Sequence, residues 1–112
     1  MRIYANVDGS LKVHAITKDV TGDVEGHMYQ LVVGDDSSHL HFQRGPVKEY
    51  GVNGLQNEQL LAVLVHRLGV LNKAFPCREN SLAITKLEEA RMWLEKRTAD
   101  REARGVEGTN QA

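Results

Sequence analysis

Three arginines, Arg97, Arg101 and Arg104, continue the three-and-four spacing of an apolar stripe made by Ala83, Leu87, Ala90 and Leu94. Residues at i, i+3, i+4 and i+7 share one helix face, so a packing seam here ends as a row of guanidiniums. A guanidinium is permanently charged and presents a planar fork that matches phosphate oxygens two at a time. Arginines in line with a seam predict a phosphate clamp aimed at whatever the seam packs against. A plainer reading fits the same spacing. A helix that outruns its core turns polar all round, and cations near its C-terminus complement the macrodipole. Glu95, Asp100, Glu102 and Glu107 then pair with the arginines at the surface for little net energy.

The second stretch with chemical content is Phe75-Pro76-Cys77-Arg78-Glu79-Asn80, at the start of the same helix. Free amides and a positive dipole end gather at a helix start and favour anions. Phe75 offers a ring for base stacking, Arg78 a charge, and Asn80 an amide for a base or ribose edge. The competing reading makes Phe75 a plug for a hairpin core and Asn80 a cap. Arg44 and Lys48, beside the Gly45-Pro46 turn, are the best basic candidates for a second site.

Other reactive side chains form no set. The histidines, His14, His27, His39, His41 and His66, are scattered, and a lone His-x-His at His39 and His41 lacks a third ligand. Cys77 has no histidine base indicated nearby, and Asp35-Asp36 lacks the ligand series of a calcium loop. There is no phosphate-binding Gly-rich loop with its lysine. Neither a metal nor a cofactor is expected. Without a defensible catalytic set, the residues favour a binder over an enzyme.

Length and composition narrow the classes further. With 112 residues the chain is read as one small domain, 41% hydrophobic and 26% charged. A net charge of −1 argues against a nucleic-acid polymer as partner while allowing a local site for a small anion. The one cysteine excludes an internal disulfide and suits a reducing compartment. The first residues, Met1-Arg2-Ile3-Tyr4-Ala5-Asn6, lack the hydrophobic region of a signal peptide. No apolar run approaches membrane-spanning length, so no membrane partner is expected.

The elements that position these residues follow from periodicity. Residues 2–7 alternate and break at Asp8-Gly9; Leu11, Val13 and Ala15 alternate next. Residues 17–27 read as a polar stretch, 28–33 as a strand, and Gly34-Asp35-Asp36-Ser37-Ser38 as a turn before a last alternating run over 39–43. Four short strands with tight turns make an antiparallel meander ended by Pro46. Leu60, Leu61, Leu64, Val65, Leu68 and Leu71 then predict a helix over roughly 55–71, capped by Asn53 or Asn57. A long helix runs from Arg78 to Gly105, with Met92 and Trp93 thickening its buried side. The expected fold is α+β, with a β-meander over 1–46, an antiparallel helical hairpin over 55–105 and a tail over 106–112.

The stretches Phe42-Gln43-Arg44-Gly45-Pro46-Val47-Lys48-Glu49, Gly51-Val52-Asn53-Gly54, Cys77-Arg78-Glu79-Asn80, Thr85-Lys86-Leu87-Glu88-Glu89-Ala90, Trp93-Leu94, and Arg101-Glu102 onward to Gly105-Val106-Glu107-Gly108-Thr109 occur in the order and with gaps similar to those of a known signature. Over residues 42–109 the chain resembles the Thoeris anti-defence protein 1 family of phage proteins. The resemblance implies a sponge that sequesters cyclic ADP-ribose isomers, made by the TIR enzyme of the bacterial Thoeris defence, without degrading them. Some members also hold cyclic oligonucleotides of the CBASS defence at a separate site. Members assemble as dimers, some as hexamers, which implies a homo-oligomer acting in the host bacterial cytoplasm. By motif position, Asn80, Arg97 and Arg101 fall where the family contacts its signal, and Thr109 lies in the tail that closes over it. Val70 stands where the family commonly carries an aromatic that stacks on adenine; Phe75 is the candidate substitute. Two other functions fit the residues less well: an enzyme that degrades such nucleotides, and a non-catalytic oligomeric scaffold.

Overall fold

The computed structural model describes residues 1–109. Its backbone divides into two compact units, Met1–Leu55 and the remainder from Gln56 onward.

The first unit is a meander of β1 (Arg2–Ala5), β2 (Leu11–Asp19), β3 (Gly22–Val33) and β4 (Asp36–His41), paired antiparallel in chain order. The α+β class and the four-stranded antiparallel arrangement are those that the alternation predicts. Directly opposed residues share a face. Leu11 lies opposite Val33, Val13 opposite Leu31, Ala15 opposite Tyr29 and Tyr29 opposite Leu40, which puts these apolar residues on one side. Lys12, His14, Gln30 and His39 occupy the other side together with Ile16, Met28 and Val32. Two strands are longer than the polar composition of residues 17–27 predicts. β2 and β3 run on through this stretch, with a register shift between Ile16 and Lys18. Backbone pairing is indifferent to side-chain polarity, so a solvated hairpin end carries no hydrophobic alternation to read. The last turn is also shorter than the run of turn formers suggests, because β4 starts at Asp36.

The hairpin turns are held by short acidic side chains. The Asp8 carboxylate accepts from the Ser10 N–H at 2.9 Å and from its hydroxyl at 2.6 Å. Asp19 accepts from the Thr21 N–H at 2.7 Å and from the Thr21 hydroxyl. The hydroxyl bonds are the main cause that holds both carboxyls below the usual carboxylate range. A depressed native pKa means that these turns help stability above the ordinary carboxylate value and lose that help as pH falls through the lower native one. Carbon-detected NMR titration of the two carboxyls should show midpoints below that of an unstructured aspartate. Midpoints at the ordinary value would show that the turns are not formed this way in solution.

Beyond β4, residues 42–55 fold back on the sheet around two amide side chains. Gln43 Nε2 donates to the Gly51 carbonyl at 2.8 Å, and its Oε1 accepts from the Asn53 N–H at 3.0 Å. Asn53 Oδ1 accepts from the Arg44 N–H at 2.8 Å and its Nδ2 donates to the Arg44 carbonyl at 2.9 Å. Asn53 is therefore a loop clasp and not a helix cap. A single helical turn, α1 (Val47–Tyr50), sits inside this loop. Phe42 then forms a parallel bridge with Leu55.

The second unit holds α2 (Asn57–Ala74) and α3 (Arg78–Ala103), packed against each other as the expected helical hairpin. Gln56 caps α2 with Gln59 in a reciprocal box, so neither Asn53 nor Asn57 is the cap. The inter-helix turn is locked by Asn72, whose Oδ1 accepts from the Cys77 N–H at 3.0 Å and whose Nδ2 donates to Ser81 Oγ at 3.1 Å. The Cys77 sulfur accepts from the Asn80 N–H at 3.4 Å and caps α3, a role that the alternative sequence reading gave to Asn80. Among the described residues only Ala15, Val24 and Arg101 are buried, and of these Val24 is completely enclosed. No helix among the described residues is long and apolar enough to cross a membrane.

Candidate functional site

The inward row of α3 is Ile84, Leu87, Arg91, Leu94, Thr98 and Arg101, spaced by three and four. All are half-buried except the last, and Arg101 is 5% exposed. The seam does end in a guanidinium. Ala90, Arg97 and Arg104, which the sequence stripe placed in the same line, are exposed. The spacing drew on two neighbouring rows at once, because residues three and four apart lie on either side of a helix row and only packing decides which side faces in. Met92 and Trp93, expected on the buried side, are 65% and 70% exposed.

Arg101 is buried by its own chain. Gly105 follows the end of α3 with φ 71°, the left-handed conformation that closes helices and that glycine adopts without strain. Gly108 has φ 77° and turns the segment again. The two reversals bring residues 106–109 back over α3. Arg101 Nε then lies 3.1 Å from the Glu107 carboxylate, and its Nη2 donates to the carbonyls of Val106 at 3.0 Å and Thr109 at 2.9 Å. A buried charge is tolerated only when it is paired and hydrogen-bonded, and this one is both. Glu107 read as a surface partner from sequence; in the structure it is the counter-ion of a buried arginine. The signal for that role is its position between two glycines just past the helix end. Residues 110–112 of the expected tail lie outside the described residues.

Trp93, Lys96, Arg97, Asp100, Arg101 and Arg104 line a groove of about 360 Å³ on this part of α3. Lys96 pairs with Asp100 at 2.9 Å, and Arg91 with Glu95 at 3.3 Å. Both are solvated pairs of small net energy.

The other candidates stand elsewhere. Phe75 is 80% exposed at the inter-helix turn, so it does not plug the hairpin core. Arg78 is exposed and Asn80 half-buried at the start of α3. Val70 is 57% exposed on α2 and lines an apolar groove of about 550 Å³ with Val63, His66, Arg67 and Leu71. An α-helix rises ~1.5 Å per residue, so Asn80 and Arg101 lie roughly 30 Å apart along α3. The structure does not bring the helix-start residues and the arginines together within one chain.

In the first unit, Arg44 lines a separate groove of about 560 Å³ with His27, His41, Phe42, Tyr50 and Asn53. Its Nη2 donates to Thr21 Oγ1 at 3.1 Å. Lys48 stands exposed on α1, outside that lining. His39 and His41 have ring centroids 6.3 Å apart, but no group of three or more candidate ligands that could hold a metal occurs among the described residues.

A β-meander and a helical hairpin whose long helix ends in an arginine buried by the segment that follows define a small α+β protein. Residues 38–99 match the family described as the hairpin domain of Acb2/Tad1. The chain is similar to a protein named Thoeris anti-defense 1 from Bacillus phage SBSphiJ7, at 53% identity over 90 residues. That stretch covers 77% of this chain and 63% of the phage protein, so the chain spans less than two thirds of the relative's length. The chain belongs to the Acb2/Tad1 hairpin-domain family. The matched residues include Asn80 and Arg97 and stop short of Arg101 and the segment that folds over it.

Proposed function

We propose that this chain is a phage anti-defence protein that binds and sequesters cyclic ADP-ribose-type immune signals without cleaving them. The observation that carries the reading is the buried Arg101 fork. Its Nε donates to a Glu107 carboxylate oxygen at 3.1 Å in a site screened from water. A phosphate oxygen is likewise an anionic acceptor for an arginine fork and would take the place of Glu107 there. The anti-defence name of the phage relative and the shared hairpin family support the same assignment.

The signal carries two phosphates, an adenine and two riboses, so one arginine does not enclose it. Arg97, Arg101 and Thr109 from one protomer would face Asn80, Arg78, Phe75 and Val70 from a second. The ~30 Å that separates the two sets along α3 is the reason to draw them from different chains. The exposed apolar groove around Val63, Val70 and Leu71 and the small buried core supply surface for such self-association, as a dimer or a hexamer. The Arg44 groove is proposed as the separate site for cyclic oligonucleotides, with His27, Phe42 and Tyr50 as its other recognition groups. The protein would act in the cytoplasm of the infected bacterium.

The test is recovery of the signal. The protein is incubated with cyclic ADP-ribose isomers, the mixture is heat-denatured and the supernatant assayed. Depletion before heating with intact signal released afterwards is the expected result. Degraded signal would make the chain an enzyme, and no melting shift with any cyclic nucleotide would make it a scaffold.

A further inference from the structure

We propose that Trp93 is the surface on which the adenine ring of the bound signal stacks. This deepens the signal-binding reading and rests on it. Trp93 is the one tryptophan of the chain and is 70% exposed. An indole is large and apolar and is ordinarily mostly covered, and this one is open on the single chain.

Its surroundings identify the occupant's chemistry. The helix neighbours of Trp93 are Glu89 and Ala90 on the preceding turn and Lys96 and Arg97 on the following one, all exposed. Glu89 pairs with Lys86 at 3.7 Å and Lys96 with Asp100 at 2.9 Å. A face that met a second copy through hydrophobic burial would surround an indole with apolar side chains and few charges. Here the exposed ring has charged neighbours of both signs, Glu89 before it and Lys96 and Arg97 after it, beside the exposed Met92. Trp93 lines the same groove as Arg97 and Arg101, which stand one and two helical turns further on. A π-face followed by guanidiniums matches a purine followed by its phosphates. Arg78, where α3 begins, is roughly 22 Å before Trp93 at ~1.5 Å per residue, and Phe75 lies in the turn that precedes it. It cannot stack on a base whose phosphate is held by Arg101 of the same chain.

The sole tryptophan makes the test direct. The full chain is titrated with cyclic ADP-ribose isomers while its fluorescence is followed, with inorganic pyrophosphate as the baseless control. Quenching by a cyclic ADP-ribose and none by pyrophosphate is expected. By calorimetry, Trp93→Ala should weaken capture about tenfold or more, whereas Trp93→Phe, which keeps a ring, should stay within a few-fold. Wild-type binding without quenching, or full affinity in Trp93→Ala, overturns the proposal and leaves the signal-binding reading in place. So does a Trp93→Ala variant that loses affinity together with assembled mass in sedimentation, because the indole is then a subunit contact. No binding by the wild-type chain to any isomer overturns both.

Discussion

Replacing Arg101 with alanine is expected to weaken capture of cyclic ADP-ribose by roughly 2 kcal/mol or more, since charge-assisted hydrogen bonds to a buried phosphate are lost. The same change touches the ligand-independent structure. Arg101 holds the Glu107 carboxylate and the carbonyls of Val106 and Thr109, and removal takes a charged donor from all three, while the Val106 carbonyl keeps the Thr109 N–H at 3.1 Å. The segment after α3 is then expected to detach and exchange its amides faster. Arg101→Lys separates the two effects. A lysine keeps the charge as a point and loses the fork, so it should restore part of the Glu107 pairing and little of the two-point phosphate contact. Isothermal calorimetry reads the affinity, and hydrogen exchange over residues 104–109 reads the segment. Unchanged affinity in both variants would take Arg101 out of the binding site. Arg97→Ala should cost affinity without changing the exchange, because Arg97 is exposed.

The second large effect is on stability. Gly54→Ala should destabilise the first unit by about 1–3 kcal/mol, the usual cost of forcing an extra group into occupied space. A Cβ on Gly54 would stand 2.5 Å from the Phe42 carbonyl carbon, 2.6 Å from its oxygen and 2.7 Å from the His41 oxygen. Those are backbone atoms, and they cannot swing away as a side-chain tip does. They also belong to the bridge in which the Leu55 N–H donates to His41 and the Gln43 N–H to Leu55, both at 2.8 Å. Relief of the clash therefore opens the bridge that holds residues 42–55 on the sheet. Gly69→Ala is the matched control with the opposite sign. Gly69 lies inside α2 with nothing within 4 Å of an added Cβ, and alanine there should stabilise by about 0.5–1 kcal/mol. Denaturant midpoints of the two variants, followed by far-UV circular dichroism, should move in opposite directions. A neutral Gly54→Ala would mean that the Phe42–Leu55 bridge is not formed in solution.

Both expectations show how differently the parts of this chain could be read beforehand. The helical hairpin is strongly periodic over long segments, and its position was legible within a few residues. The meander was legible from alternation where a face is apolar, as at Leu11, Val13 and Ala15. It was not legible over residues 17–27, because a solvated hairpin carries no periodic signal. The short-range clasps escaped for another reason. Gln43, Asn53 and Asn72 each bond to backbone groups five to ten residues away, and an amide side chain in a loop looks the same whether it is bonded or bare.

Residue types and spacing by themselves determined the α+β class, the order of the elements, the family and the presence of guanidiniums at the far end of the long helix. These are properties of local periodicity and of motif order along the chain. Tertiary structure alone decided which of those guanidiniums faces inward. Rows three and four residues apart are equivalent on an isolated helix, and only the packing of α2 and the return of residues 106–109 make Arg101 buried, Arg97 exposed and Trp93 bare.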